Sequence, residues 1–201
     1  MDIDPKDLVD AAARAKDIGE ARARQLNAWV AVTVAVLATF MGICKVKDDN
    51  IVQGMQQAQA DKIDHWAYYQ ARNIRQQMAE ATAVQLELAA QTAPATAAGY
   101  QTAIARYRAL AQEQAAKKDQ LKTQAEQDQL NYDALNYRDD QFDLSDALIA
   151  IAISMLAVTA LTGLWPLYWV ALVPTGFGVL MGVAGLAALP IHPTSLVQLL
   201  S

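Results

Sequence analysis

The chain has 201 residues, 54% of them hydrophobic and 18% charged, with a formal net charge of -5. The acidic balance argues against a nucleic-acid-binding protein, and one cysteine with two distant histidines excludes an internal disulfide and leaves little for a metal cluster. The apolar residues are segregated, because segments 28–44 and 147–189 carry no charged side chain, and this pattern indicates membrane spans.

Residues 1–25 are predicted to form an amphipathic N-terminal helix. Asp4 is the expected N-cap and Pro5 the first helical residue, where its missing N–H costs nothing. The weakly apolar stripe at helical spacing consists of Leu8, Ala12, Ala15 and Ile18. This leader either lies in the headgroup plane or docks a partner, or it is simply a solvated helix.

Residues 26–44 are predicted to form the first transmembrane helix. Trp29 near its start is typical of an interface anchor, and Lys45 and Lys47 follow its far end. The segment Asp48-Asp49-Asn50, followed by Gln53, resembles a capping box, so we expect a new helix start or a bend there.

Residues 49–142 are predicted to form a long antiparallel helical hairpin outside the membrane. A Pro- and Gly-containing break at 92–99 divides the segment into two arms of similar length. In the first arm the expected apolar stripe is Ile63, Ala67, Ile74, Met78, Ala81 and Leu88, preceded by Val52 and Met55.

The second arm follows a heptad pattern typical of a coiled coil. Its predicted seam consists of Tyr100, Ile104, Tyr107, Ala111, Gln114, Lys118, Leu121, Ala125, Asp128, Tyr132, Leu135, Asp139 and Phe142. Polar residues and alanines occupy many of these positions, so the seam buries little apolar area. This weakness predicts that copies of the chain pack side by side as a homo-oligomer.

Trp66, Tyr68 and Tyr69 concentrate aromatic side chains in the first arm. They form either a recognition patch for a partner or an aromatic layer that fills the hairpin or inter-subunit seam, and the helical spacing favours the layer. His65 beside them has no second ligand at i+4, so we expect it at the surface.

Asp139, Asp143 and Asp146 are spaced by four and three residues just before the second apolar segment. They therefore share one helix face, and in a ring-shaped oligomer they would form a cation-attracting collar. The simpler interpretation, which we favour, is that Asp143 or Ser145 caps the next helix and the other acids solvate its N-terminus.

The second and third transmembrane helices are predicted at 147–164 and 167–189, with a short tail at 190–201. Pro174 is expected to kink the third span or to delay its start. Gly178, Gly182 and Gly185 form a small-residue ridge suited to close helix contact. That ridge contacts either another subunit or the protein's own second span.

The predicted fold class is an all-α membrane protein with three transmembrane helices, the hairpin lying between the first and second. Positive charges before the first span predict a cytoplasmic N-terminus and a periplasmic hairpin in a bacterial inner membrane. The charge difference is small, so a cytoplasmic hairpin is the alternative.

Two stretches, Trp66-Ala-Tyr-Tyr-Gln-Ala-Arg-Asn-Ile-Arg75 and Phe142-Asp-Leu-Ser-Asp-Ala-Leu148, carry a resemblance to a known family. The order of parts resembles a bacterial membrane family catalogued as a domain of unknown function, number 4337. The resemblance covers most of the chain after the leader. It implies the architecture and transfers no functional residue.

Three classes of function remain open from the sequence. The first is a non-enzymatic scaffold or assembly protein that homo-oligomerises in the bilayer. The second is an oligomeric channel with an acidic collar, and the third is an accessory subunit of a larger complex with an unidentified membrane-protein partner. We expect no enzyme and no cofactor, because the sequence has no nucleophile–base set, phosphate-binding glycine loop or zinc-ligand spacing.

Overall fold

The computed structural model describes residues 5–92 and 97–191, and these form three helices. Helix α1 spans Pro5–Thr92, α2 spans Ala97–Thr162 and α3 spans Trp165–Ala187. Contacts divide the chain into a span unit, Met1–Ile51 with Tyr137–Ser201, and a hairpin unit, Val52–Asn136. The chain is all-α, and each helix contains a stretch long and apolar enough to cross a membrane.

Helix α1 runs without interruption from Pro5 through the first apolar segment into the first arm, so the predicted new start at Asp48-Asp49-Asn50 is wrong. The polar side chains there serve the same helix instead of capping a new one. Lys45 Nζ donates to Asp48 Oδ2 at 2.7 Å, and Asn50 Nδ2 donates to the Val46 carbonyl at 2.9 Å. Helix α2 is equally continuous, so neither Asp143 nor Ser145 caps a helix start. The expected N-cap, Asp4, lies outside the described residues.

The core of the span unit lies where its three helices meet. Its buried side chains are Leu26, Val30 and Leu37 from α1, Ile149, Ala152 and Leu156 from α2, and Tyr168 and Ala171 from α3. The Thr33 and Tyr168 hydroxyls are 3.0 Å apart, so α1 and α3 are also joined by a polar contact. Apolar side chains that interdigitate around a few interhelical hydrogen bonds thus hold the three helices together.

Helix α3 follows a glycine turn, and side chains of α2 form hydrogen bonds at its C-terminal end. It follows Gly163, whose φ of +67° lies in the left-handed region, and it begins at Trp165 with a proline in its first turn. The helix continues through Pro174 and ends at Ala187.

Arg138 of α2 donates two hydrogen bonds to the Gly185 carbonyl, at 2.9 and 3.3 Å. Gln141 Nε2 donates to the Leu189 and Ile191 carbonyls at 2.9 and 2.6 Å, so α2 supplies the donors that the end of α3 lacks.

The three ridge glycines lie against this chain's own helices. A Cβ on Gly178 would lie 2.8 Å from Ile149 Cγ1, and a Cβ on Gly185 would lie 2.8 Å from Phe142 Cζ. At Gly182 the nearest atoms would be Phe40 Cε1 at 2.6 Å and Ser145 Oγ at 2.8 Å. The ridge is therefore covered within one protomer: Gly178 packs against the predicted second span, and Gly182 and Gly185 pack against Phe40 of α1 and against α2 residues just ahead of that span.

In the hairpin unit α1 and α2 pack antiparallel. Contacting positions rise along α1 as they fall along α2: Lys62 with Gln129, His65 with Asp128, Arg72 with Gln114, and Glu87 with Arg108. Every predicted seam position of the second arm is buried or half-buried, as the heptad prediction requires. The turn predicted at 92–99 falls mainly on 93–96, outside the described residues.

Candidate functional site

The first candidate site is a group of four aspartates in the span unit. Asp139, Asp143 and Asp146 lie on one face of α2, as their spacing predicts. Asp48 of α1 joins them, and it is only 3% exposed. Sequence reasoning missed Asp48 because it was assigned to a helix cap. An antiparallel register extended from the hairpin seam would have paired this part of α1 with residues near 143 of α2.

Burial and the nearby negative charges raise the pKa of the three α2 carboxyl groups, Asp139, Asp143 and Asp146. Burial, a side-chain hydrogen bond with Asp48 and the charge of Asp143 raise the pKa of Asp139 to about 7. Burial also raises the pKa of Asp143 and of Asp146, while Lys45 opposes both shifts. Near neutral pH the group therefore carries less negative charge than its four aspartates suggest.

Lys45 donates a hydrogen bond to one oxygen of Asp48. This hydrogen bond is the largest cause of the raised pKa of Lys45. The second oxygen, Asp48 Oδ1, has no N–H or hydroxyl donor within reach among the described residues. The hydrogen bond between the Asp139 and Asp48 side chains requires a proton on one of the two carboxyl groups. Across residues 5–92 and 97–191, no three His, Cys, Asp or Glu side chains are placed to hold a metal ion. The cation collar requires a ring of subunits and stays a prediction.

The aromatic residues of the first arm divide between two faces of α1. The Trp66 and Tyr69 rings pack edge-to-face with centroids 5.2 Å apart, and Lys118 Nζ of α2 lies 5.8 Å from the centroid of Tyr69. Both rings are half-buried, whereas Tyr68 is 62% exposed. Tyr69 thus belongs to the hairpin seam, and Tyr68 does not.

His65 also lies in the seam, which corrects the prediction that it is a surface residue. Its Nδ1 is 2.6 Å from Asp128 Oδ2, and its side chain is 28% exposed. The signal was available in the sequence, because His65 lies seven residues from Ala58 and from Arg72, at a repeated heptad position.

The second candidate site is an exposed apolar surface on α1, which we call the outer stripe: Ile63, Ala67, Ile74, Met78, Ala81 and Leu88. The apolar stripe of one hairpin arm would ordinarily face the other arm, but in the structure these residues are exposed and do not pack against α2. Their larger side chains are 56–64% exposed, with Ile74 the least and Met78 the most exposed. At 3.6 residues per turn Ile74 lies about 200° around the helix from Arg72, which binds Gln114 of α2.

Polar residues occupy the seam in place of the outer stripe. Lys62, His65 and Arg72 reach across to Gln129, Asp128 and Gln114 of α2. Buried alanines on either side of these residues, Ala58 before them and Ala79 and Ala83 after them, let the helices approach closely. The protomer therefore pairs its arms through small and polar side chains and leaves its best apolar stripe unpartnered.

These features define the class of the protein: an all-α chain in which each of three helices contains an apolar stretch long enough to cross a membrane, with α1 and α2 packed antiparallel. Residues 26–188 match the profile of the family DUF4337, described as a domain of unknown function, and the chain belongs to this family. The match confirms the resemblance read from the sequence. Neither a curated protein nor a solved structure matches the chain.

Proposed function

We propose that this chain is a non-enzymatic scaffold or assembly protein of the bacterial inner membrane that homo-oligomerises through its helical hairpin. The observation that carries the proposal is the outer stripe, whose Ile63, Ile74, Met78 and Leu88 side chains are each more than half exposed. Burying one such side chain is worth about 1.5–3 kcal/mol. A continuous row of them on one helix face is typical of an interface.

The exposed surface of the apolar segments supports insertion in a bilayer. Only 17% of the apolar window of α1 and 33% of those of α2 and α3 are buried in the protomer. Val36, Leu161 and Phe177 are 60–88% exposed on these segments, Phe177 the least and Leu161 the most. Contact of such side chains with lipid tails is favourable, whereas their contact with water is not.

The charges that flank the segments support one orientation. Arg14, Lys16, Arg22 and Arg24 are exposed on α1 ahead of its apolar segment. By the positive-inside rule these charges favour a cytoplasmic N-terminus and a periplasmic hairpin unit. In this arrangement the outer stripe faces an aqueous compartment, where apolar contact between copies is favourable.

Native mass spectrometry of the protein in mild detergent tests the proposal. The wild type is expected to be a homo-oligomer, and Ile74→Glu is expected to lower its mass toward the monomer, because a charge would enter the interface. Leu130→Glu is the matched control, since Leu130 of α2 is 61% exposed but lies outside the outer stripe.

A monomeric wild type would overturn the proposal. A single copy bound to a different membrane protein would also overturn it and would favour an accessory subunit. If Ile74→Glu and Leu130→Glu lower the oligomer mass equally, the outer stripe is not part of the interface.

A further inference from the structure

All outer-stripe residues except Met78 belong to a second heptad series on α1, separate from the seam with α2. Positions 63, 67, 70, 74, 77, 81, 84 and 88 alternate spacings of four and three, and all eight side chains are exposed. Helices with such a series pair with another helix of the same period. Its apolar members are Ile63, Ala67, Ile74, Ala81, Val84 and Leu88, and the other two are Gln70 and Gln77.

The membrane fixes the direction of any pairing between two copies. Identical chains insert with the same orientation, because the same charged residues direct each of them. The α1 helices of neighbouring copies therefore run parallel. This step depends on the proposed function, which places both copies in one bilayer.

The series suits pairing with itself at the same residue number. In a parallel pair each core position meets its own counterpart, so the apolar residues face apolar residues. Gln70 and Gln77 would each meet a second glutamine, and an amide both donates and accepts hydrogen bonds. No charged residue occupies any of the eight positions.

The flanking positions are compatible with the same register. In a parallel pair a residue just before one core position contacts the residue five places later in the second helix. The resulting contacts are Trp66 with Ala71, Asn73 with Met78, and Glu80 with Gln85. None of these pairs brings like charges together.

The outward face of α2 lacks this property. Its exposed side chains include Arg106, Arg108, Glu113, Lys117, Lys122 and Glu126. In a parallel self-pair each such charge would approach its own copy, which is unfavourable. The occupant that the outer stripe fits is therefore the same helix of a second copy.

We propose that two copies of the chain pair through α1 over residues 63–88, parallel and with each residue opposite its counterpart. Cysteine cross-linking in native membranes tests this register. Cys44 is the only cysteine of the sequence and is 1% exposed, so Cys44→Ala gives a suitable background. In that background Ala67→Cys and Ala81→Cys, made separately at exposed positions, are expected to give disulfide-linked dimers on mild oxidation.

The matched control is Ala116→Cys, because Ala116 is exposed on α2 and lies two residues from the buried Gln114. A disulfide needs Cα atoms within about 7 Å, so a cysteine pair that is not opposite itself does not link efficiently. We expect the dimer fraction of the Ala67→Cys and Ala81→Cys variants to exceed that of Ala116→Cys at least tenfold.

Equal cross-linking at all three positions would indicate random collision and overturn the proposal. An oligomeric native mass without links at Ala67 and Ala81 would overturn the register while the scaffold proposal stands. A monomeric native mass would overturn both.

Discussion

Asp139 is an aspartate of the span unit whose pKa is strongly raised, to about 7. Its neighbours include Asp48, Asp140 and Asp143, and burial removes much of the water that would otherwise stabilise its negative charge. The folded protein therefore holds a proton on Asp139 at pH values where the unfolded chain has released it. Stability consequently falls as pH rises from about 4 to about 7.

The predicted consequence is a lower thermal unfolding midpoint at pH 8 than at pH 5. Asp139→Asn, which mimics the protonated side chain, is expected to raise the midpoint at pH 8 and to reduce its dependence on pH. Tryptophan fluorescence during heating in detergent measures both. Any dependence of the midpoint on pH that remains in Asp139→Asn is attributed to Asp143 and Asp146, whose pKa values are also raised.

Asp140→Asn is the control, since Asp140 belongs to the same acidic segment and is only a lesser contributor to the Asp139 pKa. A pH dependence unchanged by Asp139→Asn would show that the Asp139 proton does not govern stability.

At the scale of helices, the close approach of α3 to α1 and α2 depends on Gly182. An added methyl group there would overlap both Phe40 of α1 and Ser145 of α2. Ser145 also donates a hydrogen bond to the Gly178 carbonyl at 2.8 Å, so a shift of α2 would cost that contact too. Overpacking of this kind typically costs about 1–3 kcal/mol.

Gly182→Ala is therefore expected to lower the unfolding midpoint. Gly176→Ala on the same helix is the matched control, because nothing lies within 4 Å of its added Cβ. Its expected effect is neutral or stabilising, since alanine favours a helix over glycine by about 1 kcal/mol. Equal effects of the two changes in a thermal unfolding assay would contradict the packing argument.

The two arms differ in how far the sequence predicts their packing. The second arm has one heptad series, and burial of Ile104, Ala111 and Ala125 follows it. The first arm has two series on opposite faces. The more hydrophobic series, through Ile63 and Ile74, is the one that sequence reasoning assigns to the interface. In the structure α2 packs against the other series, through His65 and Arg72. Apolar period alone cannot tell an internal seam from a surface that another chain covers.

Local polar patterns gave a similar error at the start of the first arm. Asp48, Asp49 and Asn50 favour helix caps in an isolated stretch. In the fold Asp48 is buried among α2 aspartates and paired with Lys45, so the helix continues past it. The contact that decides the outcome is distant in sequence, and a local motif does not contain it.

The whole molecule combines three apolar segments with a polar hairpin, and its orientation can be tested with two exposed alanines. Ala13 lies on α1 ahead of the first apolar segment, and Ala116 lies on the outward face of α2 in the hairpin unit. In the Cys44→Ala background, Ala116→Cys is expected to react with a membrane-impermeant maleimide in spheroplasts. Ala13→Cys is expected to react only after the membrane is opened.

Opposite labelling would place the hairpin in the cytoplasm. The apolar segments themselves were readily predicted, because their composition needs no tertiary partner to be recognised. The direction of insertion depends on a few basic residues interspersed with acidic ones, so the sequence predicts it less well than it predicts the apolar segments.

The hydrogen bonds from α2 to the end of α3 also impose an order in time. Gln141 is synthesised 48 and 50 residues before the Leu189 and Ile191 carbonyls that it binds. At roughly 5–20 residues per second, the ribosome needs about 2–10 seconds to make that stretch. During this interval the carbonyls that accept from Gln141 and Arg138 in the folded chain do not yet exist. Helix α3 is therefore the last helix of the span unit to be locked in place as the chain is made.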